Sequence, residues 1–315
     1  MEIHFFGTGA GIPSKERNVS GLALRFLQQN GKVWLFDCGE ATQHQLLYSR
    51  LSLSKVEKIF ISHLHGDHIY GLPGLLGSRS FQGATSPLKV FGPKGIKVFI
   101  ETTLAVSKTY LKYPLYIDEI EKGILWDDKE GKMEVFSLEH AIESFGFRFS
   151  EKAKRGKLQI DKLMEKGIQP GPIYEQLKQG QTITLENGEK IDGTQFVGPS
   201  QRGRVIAVAG DTKICDSSYQ LASDADLLIH EATFRSGEEE TAAQFGHSTV
   251  KQATELALDC NVKQLLLTHI SSRYHNETKE IEQEAQAIFP SCFVANDFDV
   301  FSFDEKNKKL SKQTN

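Results

Sequence analysis

The run His63-Leu64-His65-Gly66-Asp67-His68 decides the fold, and it directly follows the apolar segment Lys58–Ser62. Imidazole and carboxylate groups are ligands that zinc accepts. On a tight loop at the end of a strand, His63 and His65 can face one metal ion while Asp67 and His68 face a neighbouring one. Gly66 lets the backbone turn without a Cβ penalty. Three histidines and an aspartate within six positions therefore predict a metal site.

Three further ligand-type residues each follow an apolar strand segment, and one loop cannot fill two metal sites alone. They are His140 after Val135–Leu138, Asp211 after Val205–Ala209, and His269 after Leu265–Leu267. Ligands at the carboxyl ends of strands can share one rim. Singly, His140 could instead cap a turn, and Asp211 could be the N-cap of the next helix. Together with the first run, the ligand interpretation is favoured, and Asp211 is the natural bridge between two metals. His44 and His275 are not expected to bind metal.

Short apolar runs bounded by glycine alternate with helical patterns along both halves of the chain. The predicted strands are Ile3–Phe6, Gly21–Phe26, Val33–Phe36, Lys58–Ile61, Leu88–Phe91, Met133–Leu138, Val205–Ala209, Leu227–His230, Gln264–Thr268, Phe293–Ala295 and Val300–Phe303. The predicted helices include Gly95–Ser107, Thr249–Leu258 and Lys279–Ile288. Two strand-rich halves flanked by helices indicate an α/β fold built as an αββα sandwich.

The segment at about 151–200 breaks this rhythm, because it is polar and rich in glycine. It carries Lys152, Lys154, Arg155, Lys157, Lys162 and Lys166, and then the turn-forming pair Gly171-Pro172. We interpret it as an insertion that protrudes from a single domain spanning 1–315. An ordinary solvated surface loop is the alternative.

Composition excludes several classes of protein. The chain has 315 residues, 39% of them hydrophobic and 25% charged, as in an ordinary globular protein. Its net charge of −4 gives no sign of nucleic-acid binding, so a polyanion must meet local basic patches. The four cysteines form no C-x-x-C pair, which fits a reducing cytosol and argues against a cysteine zinc site. We expect no signal peptide and no membrane span.

The run His63–His68, followed by His140, Asp211 and His269, resembles the metal ligands of the metallo-β-lactamase superfamily. Within this superfamily the chain resembles the short-form ribonuclease Z (tRNase Z) family. Besides the metal ligands, Pro13-Ser14-Lys15-Glu16-Arg17-Asn18 resembles a P-x-K-x-R-N loop. His230-Glu231-Ala232-Thr233 resembles a HEAT motif, and His247-Ser248-Thr249 an HST motif. Ser271-Ser272-Arg273 stands where the family carries A-x-R, with serine in place of alanine. The resemblance covers nearly the whole chain.

The resemblance implies two zinc ions per subunit and a phosphodiesterase reaction. His63, His65, His140 and Asp211 would hold the first ion, and Asp67, His68, Asp211 and His269 the second. Asp67 would also accept a proton from the attacking water. His247 would be the general acid for the leaving 3′ oxygen, with Glu231 orienting its ring; a helix N-cap or surface position is the alternative for His247.

The resemblance also implies the substrate, a precursor tRNA whose 3′ trailer is removed, leaving a 3′-hydroxyl on the tRNA and a 5′-phosphate on the trailer. Lys15, Arg17 and Asn18 would contact RNA near the cleavage site, and Arg273 a phosphate. The segment at about 151–200 would be a flexible tRNA-binding arm. In the family the arm of one subunit presents tRNA to the partner's active site, which implies a cytoplasmic homodimer.

Two other functions remain open from the residues alone. The same metals could serve a hydrolase of small phosphodiesters or other esters, which would need a closed pocket and no arm. A non-catalytic RNA-binding relative is disfavoured, since every expected ligand is present.

Overall fold

In the computed structural model, residues 1–185, 187–274, 276–304 and 309–313 are described. The strands are β1 (Glu2–Gly7), β2 (Gly9–Ala10), β3 (Gly21–Phe26), β4 (Lys32–Phe36), β5 (Val56–Phe60), β6 (Leu88–Gly92), β7 (Leu115–Glu119), β8 (Gly123–Asp127), β9 (Gly131–Leu138), β10 (Ser144–Glu151), β11 (Thr182–Thr184), β12 (Lys190–Asp192), β13 (Val205–Val208), β14 (Leu227–Glu231), β15 (Leu265–Thr268), β16 (Ile270–Ser271), β17 (Cys292–Val294), β18 (Val300–Phe303) and β19 (Leu310–Lys312).

The helices alternate with these strands. They are α1 (Thr42–Leu46), α2 (Gly66–Ile69), α3 (Leu72–Phe81), α4 (Ile96–Val106), α5 (Ile160–Glu165), α6 (Ile173–Lys178), α7 (Asp216–Ala222), α8 (Glu239–Phe245), α9 (Val250–Asp259) and α10 (Thr278–Ile288). No helix among the described residues is long and apolar enough to cross a membrane.

Two large sheets organise the first of two structural units, which comprises residues 1–127, 132–149 and 205–315. The first sheet has the order β19-β18-β1-β3-β4-β5-β6-β7, and β4 to β7 run parallel. The second has the order β17-β15-β14-β13-β10-β9-β8, with β13, β14, β15 and β17 parallel. Parallel neighbours bring their carboxyl ends to one edge of each sheet, where binding residues collect.

An aromatic core fills the space between the two sheets. Phe60 of β5 stacks on Phe36 and Phe91 from the neighbouring strands of its own sheet. Its ring also contacts Phe147 of β10 in the second sheet, at a centroid distance of 5.3 Å. The two sheets therefore share one apolar layer, which fixes the position of one strand edge against the other.

Helices cover both outer faces of the pair of sheets. Leu72, Leu75 and Leu76 of α3 and Ile96 and Ile100 of α4 pack with residues of the first sheet. Residues of α9 and α10 pack in the same way with the second. Strands such as β13 are buried on both sides, which explains their continuous apolar sequence. This arrangement of helix, sheet, sheet and helix confirms the predicted αββα fold.

The second structural unit comprises residues 128–131 and 150–204. It contains α5, α6 and the antiparallel hairpin of β11 and β12. Leu163, Ile168, Leu177, Ile183, Ile191 and Phe196 form its own small core. An ion pair between Glu151 and Arg204 joins the two chain segments where they enter and leave the unit. The segment thus has packed structure of its own, although its sequence is mostly polar.

Candidate metal centre

All seven predicted metal ligands lie together at the carboxyl ends of strands. His63, His65, Asp67 and His68 follow β5, and the short helix α2 begins within this run at Gly66. His140 follows β9, Asp211 follows β13 and His269 follows β15. His44 lies apart from this cluster and packs against Tyr48. His275 lies outside the described residues.

Three imidazole rings converge in the first group of ligands. The Nδ1 atom of His65 lies 3.1 Å from Nε2 of His63 and 3.1 Å from Nε2 of His140. Nitrogen ligands at about 2.0–2.1 Å from a tetrahedral zinc ion lie about 3.3 Å from one another. The spacing of the three nitrogens therefore suits one metal ion.

Asp211 faces this group and a second one. Its Oδ2 atom lies 3.7 Å from Nε2 of His63, 3.4 Å from Nε2 of His68 and 3.2 Å from Nε2 of His269. Asp67 completes the second group, with Oδ2 3.4 Å from Nε2 of His68 and 3.5 Å from Nε2 of His269. The Asp211 carboxylate thus lies within 3.7 Å of histidines from both groups.

Asp37 fixes the tautomers of two histidines on the first sheet. The Nδ1 atom of His68 donates to Oδ2 of Asp37 at 2.8 Å. The Ser62 hydroxyl donates its single proton to the same carboxylate at 2.9 Å, so it accepts from Nδ1 of His63 at 3.0 Å. Both rings are left with an Nε2 lone pair that faces the cluster. From its place at the end of the apolar segment Leu35–Phe36, Asp37 is expected either to accept a hydrogen bond from a loop of metal ligands or to have a structural role alone, and the contact with His68 is of the first kind. The contact of Ser62 is not predicted from the sequence.

Two acceptors fix His140 and His269 in the same way. Nδ1 of His140 donates to the carbonyl oxygen of Gly246 at 2.8 Å. Nδ1 of His269 lies 2.8 Å from the Thr233 hydroxyl, which itself donates to Oε2 of Glu231 at 2.6 Å. His269 therefore donates to Thr233, and its Nε2 atom carries a lone pair. That Nε2 is buried and has no hydrogen-bond partner among the described residues.

These donor atoms fit a divalent metal. Four outward Nδ1–H bonds leave Nε2 lone pairs on His63, His68, His140 and His269, and neighbouring lone pairs repel each other unless a cation lies between them. Burial without a partner is costly for such an atom. The two aspartates add the negative charge that a cation requires. The arrangement is a site for divalent metal.

Glu231 and His247 form a pair beside the metal ligands. Nδ1 of His247 donates to Oε1 of Glu231 at 2.8 Å. The Glu231 carboxylate also accepts from the amides of Thr212 and Thr233 and from the Thr233 hydroxyl, so its oxygens are already occupied. A metal ion at Glu231 would have to displace these bonds, and the carboxylate instead orients the ring of His247.

The charges within the cluster shift its pKa values in opposite directions. Burial raises the pKa of Asp67 and of Asp211, but neighbouring histidines outweigh burial and hold both pKa values well below the usual range. Burial lowers the pKa of His63. Burial also lowers the pKa of His247, but the charge and hydrogen bond of Glu231 prevail and raise it to about 9.

The sequence left open that His140 caps a turn and that Asp211 and His247 are N-caps of helices, and the structure does not favour these alternatives. The N-cap of α7, the helix after Asp211, is Cys215. The N-cap of α9 is Thr249, whose hydroxyl accepts from the amide of Gln252, so His247 is not the cap. His140 does bond the terminal carbonyl of α8 at Gly246, but its other nitrogen faces His65.

The residues predicted to bind RNA have different environments. Lys15 and Arg273 are exposed, and Asn18 is half-buried with its side chain donating to the carbonyl oxygen of Glu40. Arg17 is only 3% exposed. Its guanidinium donates to Thr8, Ala295, Thr278 and Asn296. Arg17 therefore anchors its loop from inside the protein.

Comparisons with known proteins show which families this chain is similar to. A family model described as anti-Pycsar protein Apyc1 matches residues 1–153, and one described as a beta-lactamase superfamily domain matches residues 183–270. Ribonuclease Z of Bacillus thuringiensis (strain Al Hakam) is 55% identical over 306 residues, which cover 96% of this chain and 100% of that protein.

Solved structures show the same likeness. The short form of human tRNase Z has a TM-score of 0.72 and 32% identity, over 96% of this chain and 100% of that chain. YhfI of Bacillus subtilis, a metallo-beta-lactamase fold protein, has a TM-score of 0.63 at 18% identity, over 95% and 98% of the two chains, and shares the fold.

Metal binding should stabilise the folded protein measurably. After chelator treatment, zinc at about 100 times its dissociation constant should add about 2.7 kcal/mol. For a chain of 315 residues that corresponds to a rise in Tm of about 4 °C. His63→Ala should abolish most of the rise, and His44→Ala, at an exposed histidine outside the cluster, should keep it. Calorimetry with and without zinc measures both; equal rises in the two variants would contradict this assignment of the ligands.

Proposed function

This chain belongs to the ribonuclease Z family, and we propose that it removes the 3′ trailer of tRNA precursors with two zinc ions, leaving a 3′-hydroxyl on the tRNA and a 5′-phosphate on the trailer. It is a metal-dependent nuclease that processes the 3′ end of tRNA. One observation carries the catalytic proposal: a complete ligand cluster lies beside a separately held Glu231–His247 pair. We therefore favour this function over the two alternatives left open by the sequence, a hydrolase of small phosphodiesters or other esters and a non-catalytic RNA-binding protein.

We assign the ligands of the two zinc ions from the two groups. His63, His65, His140 and Asp211 would hold one ion, and Asp67, His68, Asp211 and His269 the other. When bound, zinc acidifies water and neutralises negative charge on a phosphate. The protein's part is to keep each ligand in the right protonation state, and the fixed Nδ1 bonds support this assignment.

Asp67 is our proposed proton acceptor. Its Oδ2 atom accepts a hydrogen bond from the amide of Gly11 at 2.9 Å, so the loop that precedes Lys15 holds this carboxylate. In the reaction, the oxygen of water bonds to phosphorus and its proton passes to Asp67. The same backbone contact supports a place for the Pro13–Asn18 loop beside the reacting phosphate.

His247 is our proposed general acid. The bond from phosphorus to the ribose 3′ oxygen breaks, and the leaving oxygen takes a proton from Nε2 of His247 to become the 3′-hydroxyl. Glu231 holds the opposite nitrogen, Nδ1, and so directs Nε2 away from itself. Only 16% of the His247 side chain is exposed, which supports a fixed rather than a mobile ring.

In this proposal two exposed cations contact the RNA, and two further residues shape the loop that carries one of them. Lys15 would contact the RNA backbone, Asn18 would shape the same loop, and Arg273 would neutralise a phosphate. Arg273 lies with its guanidinium 5.7 Å from the centre of the Phe234 ring, which limits its freedom. Arg17 would support recognition indirectly, because its guanidinium holds the loop in place.

The unit at about 151–200 is our proposed tRNA-binding arm. Its exposed lysines, including Lys157 and Lys162, are suited to RNA phosphates by charge. A homodimer, in which each arm presents tRNA to the other subunit, follows from the family resemblance. The cytoplasm is the proposed location, in keeping with four cysteines that are all free thiols.

Mapping both product ends tests the reaction itself. Purified protein with zinc should cut a trailer-bearing pre-tRNA once, giving a 3′-hydroxyl and a 5′-phosphate, and chelator should stop cleavage. A trailer that ends in 5′-hydroxyl, or an uncut precursor, would reject the proposed reaction.

Replacing His247 tests proton donation. His247→Ala should lower kcat on pre-tRNA by about 10²- to 10⁴-fold with little change in KM, because a ribose alkoxide needs a proton to leave. Hydrolysis of bis(p-nitrophenyl) phosphate should fall far less, since p-nitrophenolate leaves without one. His44→Ala is the matched control and should behave as the wild type. Equal losses on both substrates would remove His247 from the role of general acid.

Reversing charge on the arm tests its role in binding. Lys157→Glu with Lys162→Glu should raise KM for pre-tRNA by about 10-fold and reduce the slope of log affinity against log salt by about 2. Hydrolysis of bis(p-nitrophenyl) phosphate should not change. The control is Lys108→Glu with Lys122→Glu, two exposed lysines of the first unit. If both pairs alter KM equally, the effect is general electrostatics and not the arm.

A further inference from the structure

The Thr233 hydroxyl lies at the junction between the metal ligands and the Glu231–His247 pair. It is 2.8 Å from Nδ1 of His269, 2.6 Å from Oε2 of Glu231 and 3.3 Å from Nδ1 of His247. Thr233 is 5% exposed, so water does not replace these bonds readily. Its backbone amide also donates to Glu231, at 3.1 Å, which places the hydroxyl firmly against that carboxylate.

The directions of these bonds are fixed by the single hydroxyl proton. An ionised Glu231 can only accept, so the Thr233 proton points to Oε2. The lone pairs of the hydroxyl must then face His269, whose Nδ1 has to carry a proton to use them. With Nδ1 protonated, Nε2 is the only nitrogen of His269 that can bind a cation. Because Glu231 is negatively charged, the Thr233 hydroxyl donates to it and accepts from His269. His269 is thereby held in the tautomer with a proton on Nδ1.

We propose that Thr233 is a positioning residue that ties His269 to the Glu231 carboxylate, so that metal affinity and the orientation of His247 depend on one hydroxyl. This inference rests on the proposed function, because it assigns His269 to a metal and His247 to proton donation. Without the hydroxyl, His269 can turn or change tautomer. Oε2 of Glu231, the oxygen opposite to the one facing His247, then also loses the shorter of its two bonds and keeps only the one from the Thr233 amide.

The test combines two substitutions with a matched control. Thr233→Val keeps the shape of the side chain and removes the hydroxyl, whereas Thr233→Ser keeps the hydroxyl. Thr254→Val is the control, because Thr254 is fully buried and its hydroxyl bonds only carbonyl oxygens within α9. Zinc affinity is measured on the full chain by competition with a chromophoric chelator, and kcat on pre-tRNA is measured at saturating zinc.

We expect Thr233→Val to weaken one zinc site by about 10- to 100-fold, the usual loss when a partner of a metal ligand is removed. Its kcat should stay below that of the wild type even at saturating zinc, with KM unchanged. Thr233→Ser should recover both properties, and Thr254→Val should lose neither. Unchanged zinc affinity in Thr233→Val, full recovery of its kcat by zinc, or failure of the serine variant would each overturn the proposal.

A measurement on the wild type keeps the proposal testable if Thr233→Val does not fold. Nitrogen-15 spectra of the zinc-loaded protein should show His269 protonated at Nδ1, and the Nε2–H tautomer would overturn the proposal. Zinc affinity and tautomer do not depend on the substrate. A protein that shows both expected results but leaves pre-tRNA uncut would refute the proposed function alone.

Discussion

The site depends on two carboxylates that bind no metal in our assignment. Asp37 holds His68 directly and His63 through the Ser62 hydroxyl. Glu231 holds His247 directly and His269 through the Thr233 hydroxyl. In each case a hydroxyl donates its proton to the carboxylate and therefore accepts a hydrogen bond from the Nδ1 atom of a second imidazole. The inward-facing lone pairs of His63, His68 and His269 follow from these outer bonds, as is usual for metal-binding histidines.

The backbone is strained at two residues of this hydrogen-bond network, Asp37 and His269. Asp37 and His269 both have positive φ angles, 56° and 58°, in the left-handed region that residues other than glycine seldom adopt. Such a conformation costs of the order of 1–3 kcal/mol and persists only where surrounding structure imposes it. Each residue directly follows a buried strand, β4 or β15, so the strand fixes its entry and the hydrogen bonds fix its side chain.

The sequence predicts well which ligand-type residues lie together, because residue type and position at the end of a strand determine this. Most predicted strand and helix boundaries also agree with the structure within one or two residues, as for Gly21–Phe26 and Val300–Phe303. The roles of Ser62 and Thr233 could not be read in this way, since a hydroxyl acquires its role only when two distant side chains meet it. The same holds for Arg17, for which the family resemblance implies an RNA contact but whose partners Ala295 and Asn296 are remote in sequence.

The strand β10, which is not among the strands predicted from the sequence, joins the two halves of the site. The amide of Phe145 donates to the carbonyl oxygen of Ser62, and its own carbonyl accepts from the amide of Gly210. A Cβ on Gly210 would lie 2.5 Å from that of Ser62, so only glycine permits this approach. Ser62 precedes His63 of the first sheet, and Gly210 precedes Asp211 of the second. The bridging aspartate therefore meets the histidine run through β10, and the metal centre exists only when both sheets have packed together.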